Sequence, residues 1–215
     1  SSILLGIIEG LTEFAPVSST AHILLGGKLL GVPPSVFFTV FTVAIQSGAI
    51  LAAIFYFWNV VIKNFSLVPK VILGFIPTAI VGLLVHNFLS TLFAHTWIIG
   101  LALILGGIAL IVIKPIDTVT EIKTISYKEA WWIGCAQILA LIPGVSRSGA
   151  TLIGGTLLGI PRGTIVSFSF LLGIPTILGA GVIEIASVKS IPNAQWGLLF
   201  VATIVAFITR SEERR

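Results

Sequence analysis

Two glutamates, Glu9 and Glu13, stand four residues apart in a segment otherwise made of Leu, Ile, Gly, Thr and Phe. On a helix that spacing turns both carboxylates to one face. A carboxylate in apolar surroundings is costly unless paired, so this pair requires a divalent cation, a basic side chain or a proton. Two carboxylates suit a hard ion such as Mg²⁺ or Ca²⁺, which the phosphate oxygens of a substrate also hold. Just beyond them, Pro16-Val-Ser18-Ser19-Thr20 leads into His22. A histidine there is a candidate proton donor, base, nucleophile or ligand, with a structural hydrogen bond as the plainer use.

The second chemical cluster is Pro143-Gly-Val-Ser146-Arg147-Ser148-Gly149-Ala-Thr151. Arg147 is the one cation in the interior of its segment, and its planar fork binds phosphate bidentately. Gly144 and Gly149 allow close backbone approach, while Ser146, Ser148 and Thr151 offer hydroxyls. A helix starting near Gly149 would point its amides at the break. The result is an anion cradle. The other use of Arg147 is to neutralise Glu9 or Glu13, and the two uses are compatible at different times. Cradle, cation site, hydroxyls and histidine together suit phosphoryl transfer, with metal and Arg147 offsetting charge on a diphosphate while a serine or water attacks.

The elements that must position these groups are membrane helices. Of 215 residues, 56% are hydrophobic and 9% charged, with a mean hydropathy of +1.13. Soluble domains carry about 25% charged residues, so this chain could not cover itself in water. At about 20 residues per crossing it holds at most about eight helices, in one bundle without a soluble domain. Continuous apolar stretches such as 96–113 exclude the alternation of a transmembrane barrel. A single cysteine, Cys135, excludes an internal disulfide and a thiolate metal cluster. The net charge of +4 is scattered between apolar spans; it indicates membrane-orienting charges and no nucleic-acid partner. A polar site in such a fold suggests a substrate with a lipid tail.

Five segments are expected to cross: 35–58, 67–86, 96–113, 164–185 and 195–209, the last marginal in length. Two regions do not fit a full span. Residues 3–30 are split at 14–20 and residues 128–160 at 142–149, leaving apolar halves of about 10 to 14 residues. Such halves around a Pro/Gly/Ser break are expected to be re-entrant hairpins lining a protected cavity, the alternative being a kinked span. The breaks lie about 128 residues apart, and a long span follows each at a similar distance. The fold expected is an all-α integral membrane protein, one domain over 1–215 with inverted-topology repeats of about 1–115 and 126–215. Each half is a re-entrant helical hairpin followed by transmembrane helices, the final span of the second half lying beyond residue 215. Paired broken helices in inverted halves point to a midplane binding site.

Orientation follows from the basic residues. Lys63, Lys70, Lys114, Lys123, Lys128, Arg162, Arg210, Arg214 and Arg215 fall on one face and only Lys28 and Lys189 on the other. The first face is then cytoplasmic. The first hairpin enters from outside and the second from the cytoplasm, so that their tips meet within the bilayer. Trp131 and Trp132 suit an interfacial belt, His86 and His95 suit solvated ends of spans around a short loop, and Gln46-Ser47-Gly48 suits interhelical hydrogen bonding and close packing.

At these residues the chain resembles the undecaprenyl-diphosphate phosphatase family, the bacitracin-resistance proteins. The resemblance is carried by Glu9-Gly-Leu-Thr-Glu13, Pro16-Val-Ser-Ser-Thr-Ala-His22 and Pro143-Gly-Val-Ser-Arg-Ser-Gly-Ala-Thr151. It extends through Gly159-Ile-Pro-Arg162 and Ser167-Phe-Ser-Phe-Leu-Leu-Gly-Ile-Pro175 over nearly the whole chain. Ala21 replaces a common glycine. The resemblance implies hydrolysis of undecaprenyl diphosphate to the monophosphate and phosphate, recycling the lipid carrier of cell-wall synthesis. It also implies a divalent cation, a multi-pass plasma-membrane location with the site facing outward, and a link to antibiotic resistance. Glu9 and Glu13 would be the acidic motif, Ser18, Ser19 and His22 the reactive groups of the first hairpin, and Ser146, Arg147 and Thr151 the phosphate-binding motif with Ser148 beside them. Ser19 is the first candidate nucleophile and His22 the second. A transporter or flippase of the carrier lipid is the rival from another class, since inverted repeats with broken helices also build transporters. A structural scaffold explains neither Glu9/Glu13 nor Arg147. A homodimer is one option for an assembly that the sequence leaves open.

Overall fold

The computed structural model describes residues 1–33, 35–63, 65–93, 95–113, 124–187 and 196–212, and every regular element among them is helical. The first broken region forms α1 (Ser2–Thr12) and α2 (Ser19–Leu29). α3 (Val36–Lys63), α4 (Val68–Phe93) and α5 (Thr96–Val112) follow, with a 3₁₀ turn, Phe65–Leu67, before α4. The second broken region forms α6 (Tyr127–Gln137), a 3₁₀ turn (Ile138–Leu141) and α7 (Arg147–Leu157). α8 (Arg162–Ser187) and α9 (Trp196–Glu212) come last. Three stretches, Phe37–Tyr56, Phe65–His86 and Arg162–Glu184, are long and apolar enough to cross a membrane. Large apolar side chains such as Leu84 and Ile111 lie outermost, 80% and 78% exposed. Hydrocarbon is the solvent that fits such a surface.

Several boundaries differ from the sequence expectation. α5 and α9 have 17 residues each, and α5 stops because Ile113 is extended. α4 continues past His86 to Phe93, since 87–93 holds no proline or glycine to end it. His86 therefore lies inside a helix, and His95 is the N-cap residue of α5. α7 begins at Arg147, two residues before Gly149: the Ser146 hydroxyl accepts the Gly149 amide at 3.2 Å as N-cap. One of the amides expected to face the break is thus already satisfied by the cap.

The chain forms two compact units. The first comprises residues 1–14, 19–57 and 177–215. In it α1 and α9 run parallel: a Cβ on Gly6 would meet the Ala202 carbonyl at 2.8 Å, and one on Gly10 the Ala206 carbonyl at 2.8 Å. Leu5, Ile23, Phe38, Phe41, Ile45 and Leu199 pack around this contact. Gln46 Nε2 donates to Thr20 Oγ1 at 3.1 Å, and a Cβ on Gly48 would overlap the Thr203 carbonyl. Both are the interhelical roles expected of 46–48.

Arg210 departs from expectation. It is 4% exposed, with its guanidinium 4.3 Å from the centroid of the Phe14 ring, and is not a solvated orienting charge. The reason is its place on the stripe of Ala202 and Ala206, which faces α1. Of the other basic residues used for orientation, Lys114, Lys123, Lys189, Arg214 and Arg215 lie outside the described residues.

The second unit comprises 15–18 and 58–176. Here α4 and α6 touch backbone to backbone, a Cβ on Gly134 overlapping the Gly74 carbonyl. Ile133, Ile160, Ile165, Phe168 and Leu172 are buried around them. A capping box starts α6, with Ser126 Oγ accepting from the Glu129 amide and Glu129 Oε2 accepting from the Ser126 amide. At the turn into α7, Gly144 has φ +94°, and a Cβ there would strike the Ile99 carbonyl at 2.6 Å. Only glycine fits that place.

Candidate functional site

In the first unit the acidic motif sits at the end of α1. Glu9 is fully buried and Glu13, the C-cap residue, is 8% exposed. The Ser19 hydroxyl, at the first position of α2, donates a hydrogen bond to Glu13 Oε2. The spacing of Ser19 and His22 puts the histidine on the same face of α2, one turn on. A serine hydroxyl bonded to a buried carboxylate is the arrangement of an activated oxygen nucleophile.

In the second unit, Ala15–Ser18 is held against the second break. The Ala15 carbonyl accepts from Ser148 Oγ at 2.8 Å and from Ser146 Oγ at 3.5 Å. Ser18 has φ 60°, the only positive value outside glycine among the described residues. That conformation costs roughly 1–2 kcal/mol for an L-residue, and such costs cluster at functional sites. Arg147, the first residue of α7, donates from Nη1 to the Ser169 carbonyl at 2.9 Å. A Cβ on Gly173 would overlap its guanidinium. Thr151 is fully buried, its hydroxyl 2.6 Å from Ser169 Oγ and donating toward the Arg147 or Ser148 carbonyl.

Within each unit, then, the residues singled out by type come together. Glu13 joins Ser19, with Glu9 and His22 on the same two helices, and Ser146, Arg147, Ser148 and Thr151 share one cluster with Ala15–Ser18. The sequence reading missed Ser169 and Gly173, which seat Arg147. Their signal was two small residues four apart, the spacing of one helix face. It also missed Arg210 as an interior cation, legible only from the 202/206/210 stripe.

For a divalent cation the donor chemistry fits: two buried carboxylates one helical turn apart and an adjacent hydroxyl are hard oxygen ligands. No group of three or more His, Cys, Asp or Glu side chains that could hold a metal is found among the described residues. Substrate oxygens and water are hard ligands that would suit the same ion.

The sequence pattern of the family described as Bacitracin resistance protein BacA matches residues 2–210. The chain belongs to this family. Among relatives of this BacA chain, the Undecaprenyl-diphosphatase of Persephonella marina is 42% identical over 213 residues, covering 96% of this chain and 84% of that protein. That of Campylobacter jejuni is 44% identical over 182 residues, covering 82% and 68%. The Aquifex aeolicus protein of the same name is 38% identical over 217 residues, covering 97% and 84%.

Proposed function

We propose that this BacA-family chain hydrolyses undecaprenyl diphosphate to undecaprenyl phosphate and inorganic phosphate. The observation that carries the reading is the Ser19 hydroxyl donating to the buried Glu13 carboxylate, in a chain whose relatives are named Undecaprenyl-diphosphatase. Ser19 Oγ attacks the terminal phosphorus as its proton passes to Glu13. The bond to the bridging oxygen breaks, undecaprenyl phosphate leaves, and water then releases phosphate from the serine. His22 lies one turn further along α2 to relay protons. Arg147, with Ser146 and Ser148 beside it in the chain and Ser18 in the same unit, binds the phosphate, and Thr151, bonded to the Arg147 carbonyl and to Ser169, steadies the turn that carries the arginine. Glu9 and Glu13 would be the donors for Mg²⁺ or Ca²⁺, which would offset charge on the diphosphate.

In this reading the two broken regions are re-entrant hairpins of inverted halves, about 1–115 and 126–215, in a multi-pass plasma-membrane protein. The site faces the extracytoplasmic side. Repeated Pro/Ser breaks and the excess of basic residues on one set of loops support that placement.

The test is phosphate release from undecaprenyl diphosphate by purified protein in detergent, with Mg²⁺ or Ca²⁺, beside folded Glu13→Gln and Arg147→Ala variants. Cation-dependent release by the wild type, lost in both variants, is the expected result. Binding of the lipid without release under either cation would replace the enzyme with a carrier of the same lipid.

A further inference from the structure

Gln137 is the last residue of α6 and is fully buried. Its Nε2 donates to Thr78 Oγ1 on α4 at 3.0 Å and to Thr176 Oγ1 on α8 at 3.1 Å. Each threonine directly follows a proline inside a helix, Pro77 in α4 and Pro175 in α8. Those prolines have no amide hydrogen, so the carbonyls of Leu73 and Leu171 lose their i+4 partners and both helices are loosened at the same level. One amide group thus joins two weakened helices to the end of α6. Thr78 also donates to the Gly134 carbonyl at 3.2 Å and Thr176 to that of Leu172 at 2.8 Å. Both hydroxyl protons are used in this way, which leaves their lone pairs for Gln137.

Burial of the amide for stability alone explains this poorly. Gln137 Oε1 has no hydrogen-bond partner among the described residues. An unsatisfied buried oxygen offsets what the two donated bonds contribute, and an apolar side chain of similar size would avoid that cost.

What the amide does fix is the rotation of α8. Ser169, Gly173 and Thr176 follow one another at i, i+4 and i+7 and so share a face. Ser169 accepts from Arg147, Gly173 lies under its guanidinium, and Thr176 is bound by Gln137. The second break is therefore tied to one face of α8 at both ends, by Arg147 above and by Gln137 about 4.5 Å further along the helix. We propose that Gln137 is a positioning residue for the phosphate-binding arginine: it holds the proline-loosened α8 at the rotation that presents Gly173 as the flat seat of Arg147. The inference rests on the phosphatase reading for the role of Arg147, but its geometry does not.

The test compares Thr176→Val, which keeps the shape and removes the acceptor, with Gln137→Leu and Gly173→Ala. KM and kcat for phosphate release from undecaprenyl diphosphate are read beside the Tm of each protein. A second reading, binding of inorganic pyrophosphate, takes Arg147→Ala as its zero. Thr176→Val is expected to raise KM about tenfold, the scale of a small misplacement in a preorganised site, with kcat changed less. The decisive readout is coupling: in the Gly173→Ala background, where the arginine is already displaced, Thr176→Val should add nothing to KM. An unchanged KM in Thr176→Val, or an effect that adds in full to that of Gly173→Ala, overturns the proposal. If the wild type releases no phosphate, the phosphatase reading falls. Pyrophosphate binding that weakens in Thr176→Val would then still support the positioning role, and unaltered or absent binding would refute it.

Discussion

The carbonyl of Ala15 accepts a hydrogen bond from the hydroxyl of Ser148, 133 residues later in the chain, at 2.8 Å. Ala15 lies in the first broken region and Ser148 in the first turn of α7, so this bond fastens one break to the other within the second unit. Both breaks carry irregular backbone, and a carbonyl there needs a donor that a continuous helix would have supplied. The Val17 amide donates to the same oxygen at 2.8 Å, and Ser146, 3.5 Å away, is a weaker partner.

Ser148→Ala should therefore destabilise the protein by about 1 kcal/mol, the net worth of one hydrogen bond, since the half-buried Ala15 carbonyl keeps the Val17 amide. In a chain of this size that is a fall in Tm of roughly 2–4 °C. Thermal unfolding in detergent reads the shift, and an unchanged Tm would mean that the two breaks hold each other by other contacts.

Gly173→Ala tests the seat of the arginine. The new methyl would occupy the space of the guanidinium carbon and both terminal nitrogens, and the far end of a flexible side chain moves more readily than the helix does. Stability should hardly change, while KM for the lipid diphosphate rises about tenfold, equivalent to roughly 1.4 kcal/mol of lost binding. Wild-type kinetics in this variant would show that Arg147 binds phosphate from another position.

Ser19→Ala removes the proposed nucleophile and the hydroxyl that Glu13 accepts. Loss of the attacking group should cut kcat by at least about 10²-fold, and Glu13→Gln should cost about 10²–10⁴ if the carboxylate takes the proton. The losses should not multiply in the double variant, because each removes the same step. A Ser19→Ala protein with near-normal turnover would shift the attack to water or to His22.

Much of this was legible in the residues. The breaks at Pro16 and Pro143 are visible because proline and strings of serine end helices for local reasons, and the chain has little freedom to override them. Glu9, Glu13 and Arg147 are visible because charge is rare in so apolar a chain. The end of α6 was not: Ile138-Leu-Ala-Leu141 favours helix as strongly as the residues before it, yet the chain tightens there to a 3₁₀ turn. Gln137, immediately before it, is bound from α4 and α8, a constraint that no window around 138–141 contains. His86 likewise lay at the end of an apolar stretch, but the helix goes on wherever nothing stops it. Ser169 and Gly173 escaped notice because small residues on a span are usually packing surface, and only the arginine above them makes them a seat.

Arg210 shows most sharply how position overrides type. Its charge at the end of an apolar run read as an orienting cation, yet α9 lies parallel to α1 and brings it under cover beside Phe14, which directly follows Glu13. A guanidinium there faces the C-terminal end of α1, where the helix dipole favours positive charge, and lies over an aromatic ring. Arg210→Met should lower stability by roughly 1–2 kcal/mol through the lost cation–π contact and dipole interaction alone. Arg210→Lys keeps the charge and should lose less. Phe14→Leu should lose the cation–π part, and the Met/Leu double variant should be less destabilised than the sum of the two, because they break one contact. Thermal unfolding of the four proteins decides it: strictly additive losses would mean that the ring and the guanidinium are neighbours without being partners, and that Arg210 is held in the first unit by its other interactions.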